Sequence, residues 1–191
     1  MILTKEHAVR VRKEERDQQR SKVYAAEKVL QDQTKRFVTV ADMEAFVAKV
    51  ADYKVLQKRY GQNFLHNVVV KDGRGRNRAG GWYGGITMPT RSRNEWVVLH
   101  ELAHTINIRL HSDWVAGHGW QYANIYLQLV KTVLGTEKHD ILKASFKKHK
   151  VRTSPKASRG KKEVTPEMIE RLAKAREIRL ANLQAKKSKK A

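Results

Sequence analysis

The chain contains no cysteine, which removes disulfide bridges and thiolate metal sites from consideration. It has no run of 18 apolar residues, so no stretch can cross a bilayer as a helix. The opening Met1-Ile2-Leu3-Thr4-Lys5-Glu6 passes straight into charged sequence, without the apolar stretch and small-residue cleavage site of a secretory signal. No internal repeat is visible. These absences lead to the expectation of a cytoplasmic protein with no membrane partner. Acidic residues are also scarce, 19 against 40 Lys and Arg, for a net charge of +21.

The surplus is uneven. From Lys147 to Ala191 there are 16 Lys or Arg against 4 Glu. A field of this sign attracts polyanions through counterion release, and DNA or RNA is the expected partner. A hydrophobic content of 40% in 191 residues is lean but sufficient for one core with extensions. Three regions are expected: a polar helical arm at 1–18, a folded domain at 19–146, and a basic linker and C-terminal helix at 147–191.

Residues 4–33 lack Gly and Pro and read as helix, with Val23, Ala26 and Leu30 as its apolar stripe. Thr39-Val40-Ala41-Asp42 has the form of a capping box and starts a second helix that Gly61 closes. Asn67-Val68-Val69-Val70, Trp82-Tyr83 and Gly85-Ile86-Thr87-Met88 read as three short strands of an antiparallel sheet, the last stopped by Pro89. Helices follow at 93–109 and 118–134, and a short basic one at 139–149. Thr165-Pro166-Glu167 opens a C-terminal helix.

The chemistry-bearing stretch is His100-Glu101-Leu102-Ala103-His104. On a helix, residues four apart share a face, so His100 and His104 can aim two imidazoles at one zinc ion. Glu101 can then reach the water on that ion as general base. Two imidazoles and a water leave a tetrahedral site one ligand short. Downstream candidates are His111, Asp113 and His118. The first Glu after His104 is Glu137, past the end of the next helix. His118 fits best, since it opens that helix after a loop long enough to turn back, flanked by Gly117 and Gly119. Asp113 could instead orient a ligand imidazole. His111, Tyr122 and Tyr126 are candidates for stabilising an oxyanion. The strand at Gly85, Ile86, Thr87 and Met88 is the expected sheet edge for an extended peptide substrate. Arg74 and Arg76 in their glycine-rich loop, with Lys147, Lys148, Lys150, Arg152, Lys161 and Lys162, are the candidate nucleic-acid contacts.

Several stretches resemble a family of small metallohydrolases of actinobacteria and their phages. They are Arg16-Asp17-x-Gln19-Arg20-x-x-Val23-Tyr24-x-Ala26-Glu27, then Ile86-Thr87-Met88-Pro89 and Glu95-Trp96-Val97-Val98-Leu99 running into the His100–His104 motif, and finally His118-Gly119-x-x-Tyr122 with Tyr126-Leu127-x-Leu129-Val130 and Leu134-Gly135. More distantly the chain resembles SprT-like zinc metallopeptidases, which pair the same motif with a distant His-Gly-x-x-aromatic. It lacks the cysteine-bearing zinc ribbon that many of those carry. The resemblance covers about residues 14–135 and leaves the tail unexplained. It implies a zincin-like α+β fold: a small antiparallel sheet packed on an active-site helix, with Zn2+ on His100, His104 and His118, and Glu101 as base. A phage-encoded chain would act in host cytoplasm. The competing expectation is a non-catalytic nucleic-acid-binding or phage–host interaction protein whose zinc site is structural or vestigial.

Overall fold

The computed structural model describes residues 17–112 and 115–155, together with Glu167, Glu170, Arg171, Lys174 and residues 176–178. The expected arm at 1–18 therefore lies almost wholly outside the described residues, as do Asp113, Lys161 and Lys162. The chain divides into two units, Met1–Pro155 and Lys156–Ala191. Of the second, the described residues are helical, and Lys174 pairs with Glu170 at 2.9 Å one turn away.

The first unit is a mixed α+β structure. Its first helix, α1 (Arg20–Glu27), buries Val23 and Ala26, then tightens into a 3-10 segment at Lys28–Gln33 that buries Leu30. Thr39 caps the next helix, α2 (Val40–Asp52). Its hydroxyl accepts from the Asp42 amide, and the Asp42 carboxylate accepts from the Thr39 amide. The expected single helix up to Gly61 is broken at Tyr53, whose backbone is extended. The chain restarts as α3 (Lys54–Tyr60). Gln57 bridges the break by donating from its side chain to the Ala51 carbonyl, a group the ended helix leaves unpaired.

The three strands are present, but their arrangement differs from the antiparallel one expected. They are β1 (Val69–Asp72), β2 (Gly80–Trp82) and β3 (Gly85–Met88). Strand order is β1-β3-β2, with β3 parallel to β1 and antiparallel to β2. Tyr83-Gly84 turns β2 into β3, and β3 then slots between its two predecessors. Gly85 permits this, because a Cβ there would lie 2.0 Å from the Val69 carbonyl oxygen. Two consequences follow for function. Gly85, Ile86, Thr87 and Met88 form the buried central strand, not an edge, so they cannot accept a peptide as an added strand. The sheet edge beside the central helix is β2. Its Gly81 sits so close that a Cβ would fall 2.2 Å from the Glu101 carbonyl oxygen.

The central helix is α4 (Glu95–His111), followed by α5 (Trp120–Leu134) and α6 (Thr136–Lys148). Val98, Leu99, Leu102, Ala103 and Ile106 bury α4 on nearly every side. Tyr122, Ile125, Tyr126, Leu129 and Val130 cover it from α5, and Leu142 and Phe146 extend the core into α6. Each large apolar side chain buried in this way stabilises by about 1.5–3 kcal/mol before entropy is subtracted. The folded unit reaches past the expected boundary at 146: Val151 is buried, and the Arg152 amide donates to the Gln19 side chain at 2.5 Å. Among the described residues no helix is long and apolar enough to cross a membrane.

Candidate metal centre and its cleft

A polar group inside a core helix must find a partner or remain costly. On α4, Thr105 donates to the Gly85 carbonyl at 3.1 Å and so ties the helix to β3. His100 is buried, and its Nδ1 lies 2.6 Å from Glu27 Oε2 on α1. His118 is buried in the turn before α5, and its Nδ1 lies 2.7 Å from Asp17 Oδ2, in the turn that enters α1. The same carboxylate accepts the His118 amide at 3.2 Å, and Gln19 donates to the His118 carbonyl at 3.0 Å.

These contacts fix which nitrogen is free. With Nδ1–H donated to a carboxylate, a neutral imidazole carries its lone pair on Nε2. His100 Nε2 faces His104 Nε2 at 3.2 Å. His118 Nε2 is buried with no partner. Ligand atoms of His100, His104 and His118 all lie within 4.8 Å of one another. Three converging imidazoles, one with an orphaned buried nitrogen and two braced from behind by carboxylates, suit a divalent metal ion with nitrogen preference. His118, the expected third candidate, is thus brought together with His100 and His104. His111 is exposed at the end of α4 and is not part of the cluster.

The electrostatics are those of a buried ligand set. Burial pushes the His104 imidazole well below its ordinary range, and the neighbouring His100 and His118 push the same way. Burial likewise lowers His118, although Asp17 opposes it. At His100 burial also favours the neutral ring, but Glu27 outweighs it and the net direction is upward. Burial raises the Glu101 carboxyl to about 7, with His100 opposing and Glu27 reinforcing. A divalent cation beside it would pull that value down.

The expected oxyanion tyrosines are elsewhere engaged. Tyr122 and Tyr126 are fully buried and donate to the carbonyls of His100 and Trp96 at 3.4 and 3.3 Å. The Tyr122 ring also packs on His104 at 4.4 Å and on His118 at 4.9 Å, so it forms the buried wall of the cluster. A third tyrosine beside the cluster, on its solvent side, is Tyr24, for which the residue-level reading offered no role. It is 39% exposed. Its ring stacks on His100 at 5.5 Å and meets His118 edge-on at 5.0 Å. Asp17, Tyr24 and Glu27 follow helical spacing beside the stripe of Val23 and Ala26. A carboxylate next to a fully buried alanine was the available signal, and a reading confined to apolar periodicity passes over it.

A cleft of about 610 Å³ opens at this centre, lined by Tyr24, Glu27, His100 and Glu101 and by Arg36, Arg78 and Arg91. Of the proposed nucleic-acid contacts, Arg74 and Arg76 line a smaller neighbouring hollow of about 310 Å³ with Arg91, and Arg74 lies 3.6 Å from Asp72. Lys147, Lys148, Lys150 and Arg152 are exposed around the end of α6. The chain matches no protein-family model, no curated protein and no solved structure.

Proposed function

We propose that this protein is a zinc-dependent metallohydrolase with a zincin-like domain, a peptidase acting on protein or peptide through a metal-activated water, and associated with nucleic acid through its basic surfaces. The observation that carries the reading is the convergence of the His100, His104 and His118 ligand atoms within 4.8 Å, with two of the rings braced by Glu27 and Asp17. The neighbouring Glu101 supplies the base.

Zinc, when bound, supplies Lewis acidity and a water whose pKa falls to near 7. Three protein ligands would leave a tetrahedral ion one position short, whereas structural sites are usually closed. That difference favours catalysis over a purely structural ion. Glu101 would be the group that takes a proton from that water and returns it to the leaving amine. Tyr24, partly exposed with its ring against His100 and His118, is the candidate phenol for donating to a developing oxyanion. An extended peptide would add to the outer edge of β2, in place of the β3 pairing expected from sequence.

Replacing Glu101 with Gln should lower kcat/KM on a denatured protein substrate by about 10²- to 10⁴-fold with zinc content unchanged. His118→Ala should lose the metal itself. Hydrolysis that persists in Glu101→Gln at wild-type rates would overturn the mechanism.

A further inference from the structure

The cleft beside Glu101 is lined by three arginines that the hydrolytic machinery does not use. Each comes from a different segment. Arg36 follows the 3-10 segment, Arg78 ends the loop between β1 and β2, and Arg91 sits in the 3-10 turn Thr90–Ser92 just before α4. The backbone holds them in place. Phe37 donates to the Arg93 carbonyl at 2.7 Å and Glu95 to the Lys35 carbonyl at 3.0 Å, which fastens Arg36 alongside the start of α4. Arg36 Nη2 donates to the Thr90 carbonyl at 2.9 Å. Arg91 Nη2 donates to the backbone carbonyl of Asn77 and to its side-chain oxygen, the latter at 3.3 Å. These bonds occupy part of two five-donor guanidinium groups and leave the rest free.

Among the described residues, none of the three pairs with a carboxylate. Arg93, in the same stretch, behaves differently. It is buried, and it is spent on Asp72 at 2.8 Å and on the carbonyls of Met88 and Val38. The carboxylates that reach the cleft are Asp32, Glu27 and Glu101. Glu27 is turned to His100 Nδ1 at 2.6 Å, and neither Asp32 nor Glu101 forms an ion pair with the three arginines among the described residues. Trp96 lines the same cleft, and its buried Nε1–H has no acceptor. The cleft thus presents positioned guanidinium donors that no carboxylate of the described residues takes up.

We infer that Arg36, Arg78 and Arg91 form a specificity subsite for one anionic side chain of the peptide substrate, close to the bond that is cut. This rests on the hydrolase reading and names its substrate class. Guanidinium forks match carboxylate and phosphate oxygens, so the side chain is Asp, Glu or a phosphorylated Ser. A nucleic-acid backbone has related chemistry. The three arginines line the same cleft as Glu101 and His100, which ties the anion they take to the reacting bond of a peptide rather than to a strand that tracks over a surface.

The test uses the full-length, zinc-loaded protein and a short peptide library in which one Asp, Glu or phosphoserine replaces Ala, or Lys replaces it as control. Wild type should cleave peptides with an anionic residue at one position roughly tenfold faster in kcat/KM than the Ala peptide. Arg78→Glu and Arg91→Glu should each invert that preference toward Lys. Arg78→Glu makes none of the bonds that hold Arg91, so it remains informative if the Arg91 variant unfolds. In parallel, binding of the same peptides to Glu101→Gln protein is read by fluorescence anisotropy. Cleavage with no anionic preference overturns the subsite and leaves the hydrolase standing. No cleavage, with anionic peptides still bound through Arg78 and Arg91, overturns the hydrolase and keeps the subsite. Single-stranded DNA that displaces the peptides and depends on the same arginines, when no anionic peptide is preferred, assigns the cleft to nucleic acid and overturns the proposal. The relative rates of Asp, Glu and phosphoserine peptides identify the anion.

Discussion

Asp17 and Glu27 each hold a histidine ring by its Nδ1, at 2.7 and 2.6 Å, and so decide which nitrogen faces the metal position. Removing such a partner leaves the ligand in place but frees its ring and tautomer. Asp17→Asn and Glu27→Gln should each weaken zinc binding by about 10- to 100-fold, read by competition with a chromophoric chelator. Unchanged affinity would mean the carboxylates merely fill space. At this scale much of the site was legible. His100 and His104 declare themselves by their four-residue spacing on one helix face, Glu101 by its place beside His100, and His118 by the lack of a better-placed third candidate. The supporting shell was not legible, because contacts between residues 73 and 101 positions apart leave no local pattern. Tyr122 and Tyr126 are buried, and their hydroxyls donate to carbonyls of α4, an engagement that sequence spacing does not report.

Helix ends were legible wherever side chains write them. The Thr39 capping box is local chemistry and stands as read, whereas Gly61 ends α3, since the chain already breaks at Tyr53. Thr39→Ala should cost about 1 kcal/mol in chemical denaturation, as lost N-caps do. Asp42, the other half of the box, has its carboxyl held below the ordinary range by the hydrogen bonds to Thr39. A carboxyl depressed on folding contributes stability above its unfolded pKa, and that contribution fades as pH falls through the folded value. Asp42→Asn should therefore destabilise at neutral pH and make little difference at strongly acid pH, in paired denaturation series. Equal effects at both would remove the charge from the account. The sheet was the poorest reading. Alternation identifies strands but not neighbours, and the insertion of β3 beside β1 depends on a glycine meeting a carbonyl across 16 residues of sequence.

Over the whole molecule, charge sets the expected partner and the two units set how to test it. Lys156–Ala191 carries 12 Lys or Arg against 4 Glu. A chain ending at Pro155 should keep its zinc while binding single- or double-stranded DNA more weakly and with a shallower dependence on salt. An unchanged salt slope would move the nucleic-acid contacts onto the first unit, where Arg74, Arg76 and the residues around the end of α6 remain candidates. The boundary itself was misjudged from composition. The basic run begins at Lys147, but Val151 and the Arg152 amide still belong to the folded unit, and charge density does not report burial.

The bracing of His100 and His118 by α1 couples two events that need not have been related. Whatever binds the three imidazoles also favours the docked state of α1, and by linkage whatever docks α1 favours the ion. Chelating the metal should therefore speed amide hydrogen exchange in residues 20–27 more than in α5, and equal protection with and without zinc would refute the coupling. A partner that grips the first helix and draws it away would act as an off-switch, emptying the centre without touching any of its ligands.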